Sequence, residues 1–171
     1  DRALTTATRA TAVGPASKGL GTDSIALGSS AETGFLSKTE TNGDKTYTGA
    51  NYSTAIGGGA KVYSNYSVAI GNGATVGETQ TNSGVTTLKT DAKASVVLGS
   101  GSKSTAEGGT VLGADSSATF KNSVALGRNV TTTASAGAGY LTNQAFADSG
   151  KVISVGQRRI NQLADGKADD D

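Results

Sequence analysis

The side chains that could do chemistry in this sequence are few and scattered. It has no histidine and no cysteine, so the usual acid–base catalyst near neutral pH, the commonest metal ligand and any thiolate are missing. Its acidic residues are dispersed, and no nucleophile has a base close by in sequence. The stretch from Asp165 to Asp169 lacks the spacing and terminal glutamate of an EF-hand loop. We therefore expect no enzyme activity, no metal site and no cofactor.

Charge and motifs exclude two further classes of partner. The 15 basic and 14 acidic residues leave a formal charge of +1, which gives no electrostatic case for nucleic acid or an anionic membrane. No apolar run is long enough to span a bilayer, so no membrane contact is expected of this segment itself. None of the 25 glycines completes a phosphate-binding motif in a strand-to-helix context, and we expect their role to be conformational.

A short apolar segment that closes on glycine recurs along the chain. Neighbouring copies lie 14, 29, 14, 28, 14, 14 and 29 residues apart, which is one unit of fourteen or two units with at most one extra residue. A fixed period this short predicts a solenoid. The repeat glycines are Gly14, Gly28, Gly57, Gly71, Gly99, Gly113, Gly127 and Gly156.

Each copy has the alternation of a strand that is apolar on both sides. Aliphatic side chains predominate three and one residues before the glycine, and a small residue lies between them. Strand side chains alternate, so the aliphatic pair shares one face and the small residue points to the other. A turn and a second, less regular strand then complete each coil of the stack. The predicted repeat core is Val13, Ile25, Leu27, Ile56, Val68, Ile70, Val96, Leu98, Leu112, Val124, Leu126 and Val155.

A coil of fourteen residues is too narrow to cover both apolar rows by itself. The sequence leaves open which row faces inward. Whichever it is, the other row needs a cover, and a second copy of the same chain is the simplest one. We therefore predict a homo-oligomer whose subunits pack along the stack.

Two stretches, at about 32–51 and 77–93, interrupt the period. Their turn signals, Asn42-Gly43-Asp44 and Asn82-Ser83-Gly84, predict hairpins or loops projecting from the stack, or degenerate coils. Between them, Tyr52 and Tyr66 are fourteen residues apart and should stack on each other. The first stretch carries four candidate receptor contacts, for which solvated loop charge is the alternative. These are Lys38, Glu40, Asp44 and Lys45.

The sequence resembles the head of trimeric autotransporter adhesins, surface proteins of Gram-negative bacteria. The YadA-like head repeat of that family reads roughly N-S-V-A-[IL]-G-x-x-[AS], and the segments ending at Gly28, Gly71 and Gly127 follow it closely. From Gln157 onward, helix formers with Ile160 and Leu163 three apart predict the start of a helix. This end is similar to the neck of the family, in which Arg158, Ile160, Leu163 and Gly166 would take the neck and trimer-contact positions.

The resemblance implies an all-β, left-handed parallel β-roll of 14-residue coils, assembled as a homotrimer and ending in a neck and the start of a coiled coil. The corresponding divisions are a head over 1–134, an irregular insertion over 135–152, a neck over 153–166 and the start of a stalk over 167–171. The implied function is non-catalytic attachment to host extracellular matrix proteins, host cells or other bacteria. The implied location is the bacterial cell surface, as the extracellular part of a protein anchored in the outer membrane. A structural spacer or fibre segment without a receptor is the alternative.

Overall fold

The structure, a computed structural model, describes residues 2–133 and 152–160. All regular elements of these residues are strands. No helix among them is long and apolar enough to cross a membrane. Apart from residue 152, the predicted irregular insertion lies outside the described residues, as do Leu163, Gly166, the stretch from Asp165 to Asp169 and the start of the stalk.

One face of the stack is a parallel sheet, which we call the aliphatic sheet. Its strands lie in the chain order of the repeats, so each copy pairs with the next regardless of what separates them in sequence. The middle residues are aligned, as in the run from Ala26 to Ala55 to Ala69. In the described residues its strands are β2 (Thr11–Val13), β4 (Ile25–Leu27), β7 (Thr54–Ile56), β9 (Val68–Ile70), β13 (Val96–Leu98), β15 (Thr110–Leu112), β17 (Val124–Leu126) and β18 (Ile153–Ser154).

The opposite face, which we call the polar sheet, is built from the second strand of each coil. It is also parallel along the stack, and its strands begin with charged or hydroxyl side chains in most coils. Two parallel sheets connected by short turns make a parallel β-roll, as predicted. The polar-sheet strands in the described part of the chain are β1 (Leu4–Thr5), β3 (Lys18–Gly19), β5 (Glu32–Thr39), β8 (Lys61–Val62), β10 (Thr75–Val76), β14 (Lys103–Ser104) and β16 (Ser117–Ala118).

The interior between the sheets holds one β-branched side chain in nearly every coil. Where the aliphatic sheet contributes alanine, the polar sheet contributes the larger residue, as in Ala69 with Val76. Where the aliphatic sheet contributes valine, the partner is small, as in Val111 with Ala118. All these side chains are fully buried, so the roll is only wide enough for one large and one small residue. The other pairs of this kind are Ala26 with Thr33, Ala55 with Val62, Val97 with Ser104, and Ala125 with Thr132.

Buried serines line the corners of the roll and link successive coils. The hydroxyl of Ser53 donates to the Ser64 carbonyl at 3.1 Å and accepts from the Ser67 amide at 3.2 Å. One coil further on, the Ser67 hydroxyl accepts in the same way from the Ser95 amide. Buried hydroxyls need partners, and the adjacent coil supplies them. The serine-rich composition is therefore part of the folded interior.

The repeat glycines allow the coils to approach closely at the first turn. Gly71 has φ +133°, and a Cβ built there would lie 2.7 Å from the carbonyl carbon and oxygen of Gly99 in the next coil. Two residues later, Gly73 has φ +67° but faces open space. The turn therefore needs positive φ at both places, and close packing excludes a side chain only at the first.

The two stretches that interrupt the period form hairpins that join into one sheet. The first hairpin consists of β5 and β6 (Lys45–Gly49), and the second of β11 (Glu78–Asn82) and β12 (Val85–Thr90). Val85 pairs with Lys38, which brings the hairpins together in the order β6-β5-β12-β11. The first two residues of β5 still pair within the polar sheet, so the hairpin sheet is continuous with the roll.

The expected helix does not begin where the sequence pattern placed it. Residues 157–160 carry no helical assignment, and Ile160 is exposed. Arg158 instead folds back on the last described coil, donating to the Val155 carbonyl at 3.0 Å and to the Arg128 carbonyl at 2.8 Å. The predicted helix beyond Ile160 lies outside the described residues.

Candidate functional site

The predicted repeat core lies on the outside of the roll in the single chain. The middle residues, such as Ala26, point inward and are fully buried, whereas the flanking Ile25 and Leu27 are 43% and 41% exposed. Exposed aliphatic side chains also recur in the other coils. The twelve residues therefore do not form the coil interior, because the narrow roll has no room for them. The exposed members are Val13, Ile25, Leu27, Ile70, Val96, Leu98, Leu112 and Leu126, and Ile56, Val68, Val124 and Val155 are half-buried.

This outward row forms a continuous apolar surface that runs the length of the aliphatic sheet. In-register pairing places Ile25 beside Thr54, and Leu27 beside Ile56, with one strand spacing between them. The same alignment continues to Leu126. Contiguous exposed apolar surface of this kind is typical of a protein interface rather than of a solvated face. It is therefore a candidate surface for assembly.

The four candidate receptor contacts lie on the first hairpin but do not converge. Lys38 forms an ion pair with Glu40 at 3.0 Å on the rising strand. Asp44 lies in the turn, where its carboxylate accepts from Asn42 at 2.7 Å, and Lys45 begins the returning strand. All four are exposed. Their role as receptor contacts remains a prediction.

A groove between the second hairpin and the polar sheet was missed by the sequence reasoning. Its volume is about 450 Å³, and the ammonium groups of Lys61, Lys89 and Lys103 line it together with Glu78 and Tyr63. The fourth residue after a repeat glycine is lysine in three coils, at Lys18, Lys61 and Lys103, which is a signal that alignment of the coils could have revealed. The hairpin residues that complete the groove had no such signal.

Electrostatics within the groove centre on one carboxylate. Lys103 and Lys89 both bind Glu78, the latter at 3.1 Å. These two hydrogen bonds, that of Lys103 first, lower the pKa of the Glu78 carboxyl. On the opposite wall, burial and then the nearby Glu32 carboxylate raise the pKa of Tyr63 to about 12, so its phenol is a neutral hydrogen-bond donor at physiological pH.

The corner of the roll carries the predicted tyrosine pair. The rings of Tyr52 and Tyr66 stack with centroids 5.3 Å apart and planes 2° from parallel, which confirms the prediction. Both side chains are more than half exposed.

Arg9 and Asp23 form an ion pair between neighbouring coils, with two hydrogen bonds from the guanidinium to the carboxylate. The bond from Arg9 Nη2 to Asp23 Oδ2 is 2.6 Å long. The pair lowers the pKa of the Asp23 carboxyl, chiefly through hydrogen bonding to Arg9.

Comparison with known families identifies the repeat. Residues 6–31, 49–74, 91–116 and 104–129 match the family model described as the YadA head domain repeat (2 copies), and together they make up more than half of the chain. The chain belongs to the YadA head-repeat family. The unmatched parts between the first three segments contain the two hairpins, so the family repeat corresponds to the coils of the roll. This is a YadA-like adhesin head, as the sequence resemblance implied.

The fold is similar to that of a solved YadA structure. A crystal structure described as the collagen-binding domain of the Yersinia adhesin YadA matches with a TM-score of 0.52 and 20% sequence identity. The match covers 99% of this chain and 64% of that chain. At this identity the likeness establishes the β-roll and not the ligand. No curated protein matches the chain.

Within the described residues no three acidic side chains gather as potential metal ligands.

The repeat glycines lie at the turns, with φ between +113° and +154° from Gly14 to Gly127 and +67° at Gly156. Beyond the last described coil, the Arg158 guanidinium lies against Gly127, where its nitrogen would be 2.8 Å from an added Cβ. Candidate partner surfaces among the described residues include the aliphatic sheet, the hairpin sheet and the groove.

Proposed function

We propose that this chain is the non-catalytic head of a trimeric autotransporter adhesin, which attaches bacteria to host extracellular matrix proteins, host cells or other bacteria. The observation that carries the proposal is the outward row of Val, Ile and Leu side chains along the aliphatic sheet of a chain that belongs to the YadA head-repeat family. An isolated roll would expose this face to water along its whole length. A head assembled from sister chains would bury it and leave the remaining faces for attachment.

The proposed assembly is a homotrimer in which three aliphatic sheets face one another. Burial of exposed Leu and Ile side chains provides the driving force, at roughly 25 cal/mol per Å² of apolar area removed from water. Each coil contributes an aliphatic side chain one residue before its repeat glycine. The position three residues before the glycine is also aliphatic except at Thr11, Thr54 and Thr110, so the apolar contact repeats along the stack. A symmetric closed assembly of identical chains is the ordinary outcome for such self-complementary surfaces.

The assembly is tested by the solution mass of the purified head and of two variants. We expect three times the chain mass of 16.8 kDa by analytical ultracentrifugation. Leu98→Glu should dissociate the assembly, because it introduces a charge into the proposed apolar interface. Ser117→Glu introduces the same charge on the polar sheet instead and should leave the mass unchanged. A monomeric wild-type head would overturn the trimer.

Attachment is tested with surfaces coated with collagen, laminin or fibronectin. The structurally similar YadA domain is described as collagen-binding, which makes collagen the first surface to examine. Three identical heads on one trimer would raise the avidity for repetitive targets. Heads without the hairpin residues 35–48 test whether the candidate contacts Lys38, Glu40, Asp44 and Lys45 take part. A folded trimer that adheres to none of these surfaces, to host cells or to other bacteria would indicate a structural spacer instead.

The proposed location follows from the family. Heads of this kind are extracellular parts of surface proteins that are anchored in the bacterial outer membrane, and we propose the same place for this one. Protease treatment of intact cells of the source bacterium should remove the head. Heads that remain protected until the cells are lysed would contradict this location.

A further inference from the structure

The groove beneath the second hairpin carries more positive charge than its own residues neutralise. Three lysines line it against the single carboxylate of Glu78, and that carboxylate is already shared by Lys89 and Lys103. The third amine, that of Lys61, forms no ion pair with any described residue. The groove lining, with three lysines and one glutamate, therefore has a net charge of about +2 and attracts anions.

The positions of these lysines are set by the regular stack. Lys61 and Lys103 are the first residues of β8 and β14, and both pair with Thr75 of the strand between them. Two strand spacings separate their backbones, which is about 10 Å. Lys89 reaches the groove from the hairpin above, because Gly77 turns the chain out of the roll just before β11. Three cations are thus arranged around a polar floor.

Nearby acidic groups do not cancel this charge. Glu32 is the cross-strand neighbour of Lys61, but its carboxylate binds Lys18 on the strand at its other side. Tyr63 also lines the groove, and its ring packs edge-on against Phe35 with centroids 5.9 Å apart. Its neutral phenol adds a hydrogen-bond donor to the lysine amines. An oxyanion in the groove would therefore meet the Lys61 amine, which has no carboxylate partner among the described residues, and the neutral Tyr63 phenol.

We propose that this groove binds an acidic saccharide through its sulfate ester or carboxylate groups. Lysine amines bind oxyanions as mobile point charges, and spaced cations suit a ligand with repeated anionic groups. The lining consists of charged, hydroxyl and glycine residues with one half-buried aromatic ring, and it has no aliphatic pocket for a peptide side chain. Its polar sheet faces away from the proposed trimer contact, so each head would present three such grooves and gain avidity.

This inference rests on the proposed adhesive function, for which it names the chemistry of one ligand. The probes are a sulfated disaccharide, a disaccharide carrying only a carboxylate, a neutral disaccharide and an acidic peptide, each titrated into the intact trimer and followed by NMR and calorimetry. We expect the amide signals of Thr75, Gly77 and Thr79 to shift with the anionic disaccharides and not with the neutral one. Binding of the sulfated probe alone would identify the sulfate ester, and comparable binding of both would identify any oxyanion.

Two charge-matched variants decide whether the groove is the site. Lys61→Gln should weaken binding roughly 5-fold to 10-fold, since it removes one charge-assisted contact that is partly screened by water. Lys121→Gln removes the same charge outside the groove, where Lys121 pairs with Glu107 at 3.0 Å. It should change the affinity by less than about 2-fold, as expected for an exposed surface charge. Lys61→Arg keeps the charge and should retain most of the binding.

Several results would overturn the site. They are the absence of binding at millimolar saccharide, equal losses in Lys61→Gln and Lys121→Gln, signal shifts outside the groove, and equal or tighter binding of the acidic peptide. Mass and melting temperature of each variant establish that it remains folded. Heads that adhere to matrix surfaces but ignore the saccharides would refute the groove and leave the adhesive function intact. Heads that bind the saccharides in the groove but adhere to no biological surface would refute the adhesive function and leave the groove as a binding site.

Discussion

Exchanging the two interior residues of one coil tests whether the roll holds a fixed volume. Ala69→Val places two extra carbons opposite Val76 at a position with no exposure, and overpacking of this kind costs about 1–3 kcal/mol. Val76→Ala alone removes two carbons from the same interior and costs about 2 kcal/mol, from the transfer of its methyl groups and the cavity left behind. The double variant conserves the volume and should cost less than about 1.5 kcal/mol.

The sequence itself provides the precedent for the exchange. The next coil already has Val97 on the aliphatic sheet and Ser104 on the polar sheet, both fully buried. In the double variant, valine at position 69 would therefore adjoin Val97, and alanine at 76 would adjoin Ser104. The boundary between the two arrangements moves by one coil, and no new kind of contact is created.

Chemical and thermal unfolding of the two single variants and the double variant gives the coupling directly. For a chain of this length, 1 kcal/mol corresponds to roughly 2–4 °C in melting temperature. Each single variant should melt several degrees below the wild type, and the double variant should recover most of the loss. A double variant as unstable as the sum of its parts would show that the two positions do not share one space. All four proteins are compared at equal concentration, because the proposed assembly would contribute to the apparent stability.

Two further predictions concern the first turn and the groove. Gly71→Ala should destabilise the head by about 3 kcal/mol or more, since the new Cβ would meet the Gly99 backbone at 2.7 Å and φ is +133°. Gly73→Ala should cost only about 1 kcal/mol, because Gly73 faces open space and has φ +67°. Equal losses of stability in denaturant titrations of the two variants would refute the packing argument. Hydrogen bonds from Lys103 and then Lys89 lower the pKa of the Glu78 carboxyl in the folded head. The ionised Glu78 carboxylate therefore stabilises the fold above the ordinary pKa near 4.5, and this stabilisation is lost as the pH falls through the folded pKa. Glu78→Gln should therefore reduce the loss of melting temperature on acidification below about pH 4.5, and an unchanged acid profile would contradict this role.

The period of the sequence was sufficient to predict the roll, because one kind of coil repeats with little variation. Its glycines mark turns whose positive φ is visible in the residue types, and the tyrosine pair follows from the same spacing. Periodicity could not decide which face lies inside. Leu27 is the more hydrophobic choice for a core, yet Ala26 occupies it, since the available width and not hydropathy selects the inward residue.

The groove was beyond sequence reasoning for a different reason. Lys61 and Lys103 follow the repeat, but Glu78 and Lys89 belong to the second hairpin, whose direction depends on how it leaves the coil. The hairpin also pairs with the first one through Val85 and Lys38, a contact between residues 47 positions apart in sequence. Long-range pairing of this kind is set by tertiary packing, and no local pattern in either insertion encodes it.

The three surfaces of the roll have different chemistry because each obeys a different physical constraint. The interior must fit one large and one small side chain per coil, so it tolerates almost no charge or bulk. The outward aliphatic row has no such limit on size, and in the proposed trimer its larger side chains, such as Leu98, would be covered by sister chains. The polar sheet and its hairpins are left as the surfaces free to vary in charge. The proposed assembly and the proposed ligand binding therefore use opposite sheets of a thin solenoid, and we expect a variant that disrupts one to leave the other intact.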